Sequence, residues 1–315
     1  MKHLSRILAF LLAAVCVFAS GCQACSAQED DTFVDALGQE IAVRQPQRVV
    51  ALMGSFAHMW LLAGGEESLC GMAVDTTDTR DLGIPDDIVS VGTYQNPNME
   101  AILSLDPQLV LLSADTVRTN NHLALRDSLH AAGIPAAYFK VTHFEDYLQM
   151  LHTLCSVTGD MQAYERHGKQ VKASVERIIE EGSVEGEPTV LLMITYSGGV
   201  RVQNADTMTG RMLAQLGCRN VLDEYPSLLK DFSMEKVIEI DPDYIFVIPM
   251  GNDDAAVRRN LMTSVESNPA WNGLTAVQQG RYIILPGEKF LYKPNDRWDE
   301  SYGYLAHALG AHAQP

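Results

Sequence analysis

Residues 98–112 read NMEAILSLDPQLVLL, and residues 233–247 repeat the pattern as SMEKVIEIDPDYIFV. In each copy a polar N-cap residue, Asn98 or Ser233, precedes apolar residues at helical spacing. An Asp-Pro pair then ends the helix, because the residue before a proline disfavours the helical conformation, and an apolar run typical of a buried strand follows. Each copy therefore predicts a short helix, a turn and a buried parallel strand.

The two copies begin 135 residues apart, which is the length of one domain. A solenoid would repeat every 20 to 50 residues or so, and the longer spacing favours two similarly built lobes. Apolar runs alternate with helical segments, which predicts α/β, Rossmann-like lobes with mainly parallel sheets. The predicted strands are residues 48–53, 66–73, 136–141, 189–195 and 282–286, with a short extended piece at 222–225 and helices from Ala57 and over 206–216.

The segment between the two repeats predicts a helical connection. After a break at Thr158-Gly159-Asp160, a helical pattern continues to Gly182, where glycine favours the end of a helix. At roughly 1.5 Å per residue this helix is about 30 Å long, enough to reach between two domains. We therefore expect a first lobe at residues 32–157, a connecting helix at 158–183 and a second lobe at 184–315.

The composition excludes several classes of protein. The chain has 315 residues, 47% of them hydrophobic, which excludes a disordered or fibrous protein. It has 23 Lys and Arg against 40 Asp and Glu, and its formal net charge is −17. Such a surface repels phosphate backbones and anionic lipid headgroups, so we expect no nucleic-acid partner and no membrane attachment through charge.

The first residues are typical of a secretory signal. Lys2 and Arg6 precede an apolar run, Ile7 to Phe18, that is too short for a transmembrane helix. The run leads into Ala19-Ser20-Gly21-Cys22, which resembles a bacterial lipobox; an ordinary signal peptide that ends near a cysteine is the alternative. We therefore predict a lipoprotein signal peptide at residues 1–21, lipidation of Cys22, a tether at 22–31, and an extracytoplasmic protein that contacts the membrane through its lipid anchor only.

The remaining cysteines are scattered along the chain. A chain of this length buries a core large enough to need no disulfide framework. We expect buried free thiols at Cys70, Cys155 and Cys218, and the pattern predicts no role for Cys25.

The repeat belongs to a longer series of segments in a fixed order: FVDALGQEIAV, RVVAL, PNMEAILSLDPQLVLL, GRMLAQLGCRNVL, SMEKVIEIDPDYIFV and AWNGLTAVQQGRYIILP. Together they resemble the substrate-binding lipoproteins of ABC importers for iron-siderophores, cobalamin and haem. The resemblance implies two α/β lobes joined by one long helix, with the ligand held in a cleft between the lobes. It implies a monomeric binding protein, not an enzyme, without a cofactor of its own. Its ligand would be a metal chelate, a ferric siderophore first and cobalamin or haem next.

The resemblance also implies a partner, an ABC permease dimer with a cytoplasmic ATPase. Members of the family dock on permease arginines through one exposed glutamate per lobe, and the matching positions are Glu100 and Glu235. Each lies in the first turn of a predicted helix, where the helix dipole also favours a glutamate for purely structural reasons. An Arg–carboxylate pair would fix the orientation of the lobe as well as attract it.

Ligands of open α/β sheets bind beyond the carboxyl ends of the strands, so the loops that follow the strands predict the binding residues. Aromatic side chains recur in these loops, and they suit a bulky, partly apolar chelate. If the ligand is haem, Tyr94 or His58 could bind its iron; otherwise we expect no direct metal ligand. The predicted ligand-binding residues are Ser55, Phe56, Tyr94, Gln95, Asp115, Tyr196, Met250, Phe290, Tyr292 and Arg297.

Other functions have weaker support. A zinc or manganese carrier needs several converging His and carboxylate ligands, and the nine histidines are scattered. The nucleophile motif of a hydrolase and the phosphate-binding P-loop motif are both missing from the sequence. A ligand-binding lipoprotein that acts as a sensor or scaffold without transport remains the alternative. The predicted cleft loops carry few cations, which leaves cobalamin or another near-neutral ligand open: Arg201, Lys289, Lys293 and Arg297.

Overall fold

A computed structural model describes residues 32–75, 80–115, 120–196, 198–230, 232–250, 259 and 261–310. The described residues belong to one compact unit that begins at Thr32. The predicted signal peptide, the tether, Cys22 and Cys25 lie outside the described residues, so their assignments stay predictions.

The first lobe contains a five-stranded parallel sheet in the order β5-β4-β3-β6-β7, preceded by an antiparallel hairpin of β1 and β2. Its strands are β1 Thr32–Val34, β2 Glu40–Ala42, β3 Val49–Ala51, β4 Leu69–Val74, β5 Val89–Thr93, β6 Leu109–Ser113 and β7 Ala136–Phe139. Helices lie in the crossovers from β3 to β4, from β5 to β6 and from β6 to β7. They are α1 Gly54–Leu62, α2 Met99–Ser104, α3 Asn120–Ala124 and α4 Arg126–Ala131.

A helical segment connects the two sheets. Helix α5, Phe144–Thr158, ends at Gly159, whose φ of 87° is a conformation that glycine adopts without strain. A continuous helix then follows, built from α6 Met161–Tyr164, a π-turn Glu165–Lys169 and α7 Gln170–Gly182. At about 1.5 Å per residue the helix from Met161 to Gly182 is roughly 33 Å long.

The second lobe contains a sheet in the order β10-β8-β11-β12, in which all these strands are parallel. Strand β9 adds an antiparallel hairpin to β8 that we did not predict. Residues 222–225 are not extended as predicted: Val221–Asp223 form a 3-10 turn, capped by the side chain of Asn220. The elements are β8 Thr189–Tyr196, β9 Gly199–Gln203, α8 Met208–Gln215, β10 Arg219–Asn220, α9 Met234–Ile240, β11 Tyr244–Pro249, α10 Thr275–Gln278, β12 Tyr282–Ile284, α11 Gly287–Phe290 and α12 Trp298–Gly310.

The repeated stretch forms the same unit in both lobes, α2–β6 and α9–β11. Strand β6 pairs with β3, and β11 pairs with β8, so the copies hold equivalent places in the two sheets. The aspartate of each Asp-Pro pair has left-handed backbone, with φ of 45° at Asp106 and 46° at Asp241. The Asp106 side chain accepts a hydrogen bond from Arg48, and that of Asp241 accepts two from Thr275. The prediction of two α/β lobes with mainly parallel sheets is confirmed.

A buried aromatic cluster joins α5 to α12. The rings of Phe144 and Trp298 lie 5.5 Å apart, and Tyr147 and Tyr302 pack beside them. Apolar residues of both sheets belong to one continuous core around this cluster. Buried side-chain packing therefore holds the two sheets together, in addition to the helical connection between them.

The structure also bears on the cysteines and on the membrane. Cys155 and Cys218 are buried, Cys70 is partly buried, and all three are free thiols. Within the described residues, every helix is too short or too polar to cross a bilayer.

Candidate functional site

A cavity of about 350 Å³ lies between the two lobes, and we call it the interlobe cavity. The first lobe contributes His58 from α1 and the loop that follows β4. The second lobe contributes α11, the turn before α12, and the first residues of α12. The described residues that line it are His58, Arg80, Asp81, Leu82, Glu288, Lys289, Pro294, Arg297, Glu300 and Ser301.

Asn295 connects the two lobes beside His58, one of the residues that line this cavity. It is completely buried, and its backbone has a φ of 54°, which asparagine tolerates better than most residues. Its Nδ2 atom donates to the carbonyl of Ser55, at 3.0 Å, and lies 3.0 Å from Nδ1 of His58. Because an amide nitrogen only donates, Nδ1 of His58 accepts and the neutral ring carries its proton on Nε2.

A carboxylate lies between two histidines beside Asn295. Asp296 has one oxygen 4.0 Å from Nε2 of His58, and the other 3.8 Å from Nδ1 of His167 in the connecting helix. Burial lowers the pKa of His58 below its usual value, and Asp296 opposes that shift only in part. His58 is therefore neutral at pH 7, and it belongs to the structural contact between the lobes.

Arg80 makes a second contact between the lobes. Its Nη1 atom donates to the carbonyl of Lys293 at 2.8 Å, and its guanidinium lies 4.9 Å from the centre of the Tyr292 ring. A guanidinium over an aromatic face is favourable and fixes both side chains. The loop after β4 is thereby held against the segment between α11 and α12.

The interlobe cavity is strongly charged but balanced. Lys289 forms an ion pair with Glu300 at its edge. Because His58 is neutral, the described lining residues carry as many positive as negative formal charges. The charged residues are Arg80, Lys289, Arg297, Asp81, Glu288 and Glu300.

A second cavity, of about 610 Å³, adjoins the first, and we call it the apolar cavity. It lies at the carboxyl ends of β8, β11 and β12, where open α/β sheets bind ligands. Glu288 and Lys289 line both cavities, so the two are neighbours. The other described lining residues are mostly apolar: Thr195, Val247, Pro249, Leu261, Ile284, Leu285, Pro286, Gly287 and Tyr304.

Two of the predicted ligand-binding aromatics lie in the core. Helix α1 begins at Gly54, directly after β3, so residues 54–56 form its first turn and not the predicted loop. The Phe56 ring is fully buried and packs edge-on against Phe139 at 6.3 Å. Phe290 is also buried, against Tyr304 at 5.7 Å. In this structure the two rings support the lobes and do not face the cleft, and Ser55 is buried as well.

Three other predicted residues surround α3 in the first lobe. Gln95 donates to the Tyr94 hydroxyl at 3.0 Å, and Asp115 donates from its backbone to Ser113 Oγ. The buried His122 holds this region: its Nδ1 accepts from the Ser113 N–H at 3.0 Å, and its Nε2 lies 2.7 Å from the Tyr94 carbonyl. Burial lowers the pKa of His122, so the ring is neutral, as this pair of hydrogen bonds requires.

The predicted residues of the second lobe lie near the carboxyl edge of its sheet. Tyr196 ends β8 and packs under the Arg201 guanidinium at 4.7 Å. Met250 follows β11 and donates from its backbone to the Thr195 carbonyl at 2.8 Å. Tyr292 packs with Arg80 as described above. Of the predicted residues, the described lining of the interlobe cavity includes Arg297, together with the haem candidate His58.

Sequence reasoning missed the loop after β4. Arg80, Asp81 and Leu82 follow a parallel strand and therefore obey the same rule as the loops we selected. The signal was available, but the loop contains no aromatic residue. Asn295 was missed for a different reason, since a left-handed asparagine has no distinct signature in its sequence neighbours.

The proposed docking residues are exposed on the surface. Glu100 and Glu235 each lie in the first turn of a short helix, α2 and α9. The N-caps are as predicted: Asn98 Oδ1 accepts from the Ala101 N–H at 3.2 Å, and Ser233 Oγ accepts from the Lys236 N–H at 3.3 Å.

The part of the chain that the structure describes contains no group of side chains arranged to bind a metal ion directly. There, no three side chains of His, Cys, Asp or Glu converge as metal ligands would.

Comparison with known proteins agrees with this geometry. The "Putative ABC transporter substrate-binding lipoprotein YhfQ" of Bacillus subtilis is 24% identical over 88% of this chain and 87% of its own length. The "Fe(3+)-citrate-binding protein YfmC" of the same organism is 22% identical over 89% and 88%. The fold matches that of the periplasmic haem-binding protein RhuT of Roseiflexus sp. RS-1, with a TM-score of 0.68, 23% identity, and coverage of 85% of this chain and 99% of that one. The model of the periplasmic binding protein family matches residues 49–288, most of the chain. The chain belongs to the periplasmic binding protein family.

Proposed function

We propose that this chain is the extracytoplasmic solute-binding component of an ABC importer, which captures a metal chelate between its lobes and delivers it to the permease. The observation that carries the proposal is the interlobe cavity, which both lobes line and which the apolar cavity adjoins. A concave site with a few charged groups and an apolar wall suits a bulky small molecule. A ferric siderophore is the first candidate, followed by cobalamin or haem.

The relatives support a binding role without catalysis. YhfQ, YfmC and RhuT are named as proteins that bind a transport substrate, ferric citrate and haem, respectively. A chelate also agrees with the described side chains, which hold no metal-ligand cluster of their own.

Docking on the permease would use Glu100 and Glu235, one on each lobe. Both carboxylates are exposed, and each lies in the first turn of its helix, just behind the N-cap. Two separated carboxylates that each bind a permease arginine would fix the orientation of the whole molecule. Lipidation of Cys22 would anchor the protein, as a monomer, to the bacterial cell membrane, at its outer face or, in a cell with two membranes, in the periplasm.

Uptake by cells tests this proposal. Cells that depend on this chain would import a radiolabelled metal chelate, and the double variant Glu100→Arg/Glu235→Arg should lower that uptake by at least tenfold. The affinity of the purified double variant for the same chelate should stay within about twofold, because both side chains lie outside the described cavity linings. The matched control is Glu66→Arg/Glu185→Arg, which makes the same charge change at exposed sites, one on each lobe.

Two outcomes would contradict the proposal. Normal uptake by the Glu100→Arg/Glu235→Arg variant would exclude docking through these residues. Chelate binding by the purified protein, together with normal uptake in cells that lack it, would favour the sensor or scaffold function instead.

A further inference from the structure

In the described lining of the interlobe cavity, three cations are balanced by three carboxylates. Lys289 pairs with Glu300, and Asp81 and Glu288 are exposed on the same lining as Arg80 and Arg297. A polyanionic ligand would meet a carboxylate for each cation, and the attraction and repulsion would largely cancel.

Two of the three cations of the described lining, Arg80 and Lys289, also make contacts within the protein. Arg80 donates to the Lys293 carbonyl and stacks on Tyr292, so its guanidinium helps to hold the lobes together. The imidazole of His58 accepts from Asn295, and burial lowers its pKa, which keeps the ring neutral. An anion that bound through Arg80 or Lys289 would compete with these contacts.

The net charge of the chain also disfavours anionic ligands. The formal net charge of −17 creates a negative long-range field, which lowers the concentration of anionic ligands near the surface. Neither the local lining nor the overall field therefore favours a polyanion.

The adjoining apolar cavity favours a second property of the ligand, an apolar portion. Val247, Leu261 and Leu285 are buried residues of its lining, and Ile284 is 43% exposed at its edge. The buried Thr195 hydroxyl also lines it, and within the described residues this hydroxyl has no hydrogen-bond partner. A ligand with an apolar portion and a group that can pair with a hydroxyl would fit this wall.

From these observations we infer that the cleft selects metal chelates of near-zero net charge that carry an apolar portion, and that it discriminates against polyanionic chelates. The inference rests on the proposed function, since it specifies the ligand of the same cleft. A ferric trihydroxamate or cobalamin belongs to the favoured class. Ferric tricatecholates and ferric citrate belong to the disfavoured class.

Equilibrium binding to a panel of chelates tests the inference. The full chain, purified in detergent, is titrated with a neutral ferric trihydroxamate, cobalamin, haem, a trianionic ferric tricatecholate and ferric citrate. We expect a neutral chelate to bind at least about tenfold more tightly than either polyanion. Tighter binding of a polyanion would overturn the inference and leave the proposed function standing, whereas failure of all five to bind would overturn both.

Two sets of variants test the cause. Glu288→Gln and Glu300→Gln each remove one negative charge from the lining, and each should improve tricatecholate binding by about three- to tenfold. Ile284→Asp should weaken the binding of the neutral chelate by about tenfold, because it places a charge on the apolar wall. Val89→Asp is the matched control, since Val89 is 45% exposed on the edge strand of the other sheet. Unchanged tricatecholate affinity in both Gln variants, or equal losses in Ile284→Asp and Val89→Asp, would contradict the inference.

Discussion

Asn295 should contribute strongly to the stability of the contact between the lobes. It is fully buried, and its Nδ2 atom lies 3.0 Å from both the Ser55 carbonyl and Nδ1 of His58. Its backbone also has a φ of 54°, a conformation that costs most residues with a Cβ atom about 1 kcal/mol. Substitution at this one position therefore tests both the hydrogen bonds and the backbone conformation.

The two contributions can be separated by two variants. Asn295→Gly removes both hydrogen bonds and keeps the backbone relaxed, so the free energy of unfolding should fall by about 2 kcal/mol, at about 1 kcal/mol for each bond. Asn295→Ala removes the same bonds and adds the left-handed strain, for a total loss of about 3 kcal/mol. Glu187→Ala is the control, because Glu187 is exposed and has a similar φ of 49°; it should change stability by less than about 0.5 kcal/mol.

Urea denaturation at pH 7.5 measures these differences, with the midpoint compared at constant m. If both Asn295 variants are within about 0.5 kcal/mol of the wild type, the hydrogen bonds do not hold the lobes together. If Ala and Gly cost the same, the backbone argument is wrong.

Three further predictions concern packing, thiols and pH. A Cβ atom at Gly182 would lie 2.7 Å from the Cβ of Ala306, so Gly182→Ala should lower the free energy of unfolding by about 1–3 kcal/mol in urea titrations. Burial raises the pKa of the Cys155 and Cys218 thiols to about 12, so neither should react with a disulfide reagent at pH 8 until the chain is unfolded. Burial lowers the pKa of His122, so below about pH 6.5 the unfolded chain binds a proton that the native chain does not; stability should decrease from pH 7.5 to 5.5, as urea midpoints would show.

Each of these predictions has its own control. Ala306→Gly should rescue part of the Gly182→Ala loss, and the absence of any loss would exclude the close contact. Rapid reaction of Cys155 and Cys218 in the native chain would contradict their burial. Cys70, which is partly buried, is the internal comparison for the rate of reaction. The loss of stability between pH 7.5 and pH 5.5 should be smaller in His122→Gln than in the wild type. An equal loss would show that other groups cause it.

The sequence predicted the architecture because the repeat carries several independent signals. Asn98 and Ser233 cap their helices, Asp106 and Asp241 end them, and the following apolar runs form β6 and β11 in equivalent places. Helix caps and Asp-Pro breaks act locally, so a single sequence reveals them.

The lining of the cleft was less accessible to sequence reasoning. Phe56 was expected to face a ligand, but α1 begins directly after β3 and turns the ring toward Phe139. A short loop and the first turn of a helix share the same composition, and the choice between them depends on tertiary packing. Asn295 forms a hydrogen bond with Ser55 in α1, which lies 240 positions away in the sequence, and no local pattern predicts such a contact.

The location of a bound metal tests the central claim most directly. Crystals of the protein, loaded with the chelate that binds most tightly, would be measured at the absorption edge of the metal. We predict one anomalous peak per chain, between Arg80 of the first lobe and Arg297 of the second, with the organic part of the chelate reaching toward Ile284. A fully loaded chain whose metal lies anywhere else would contradict the account.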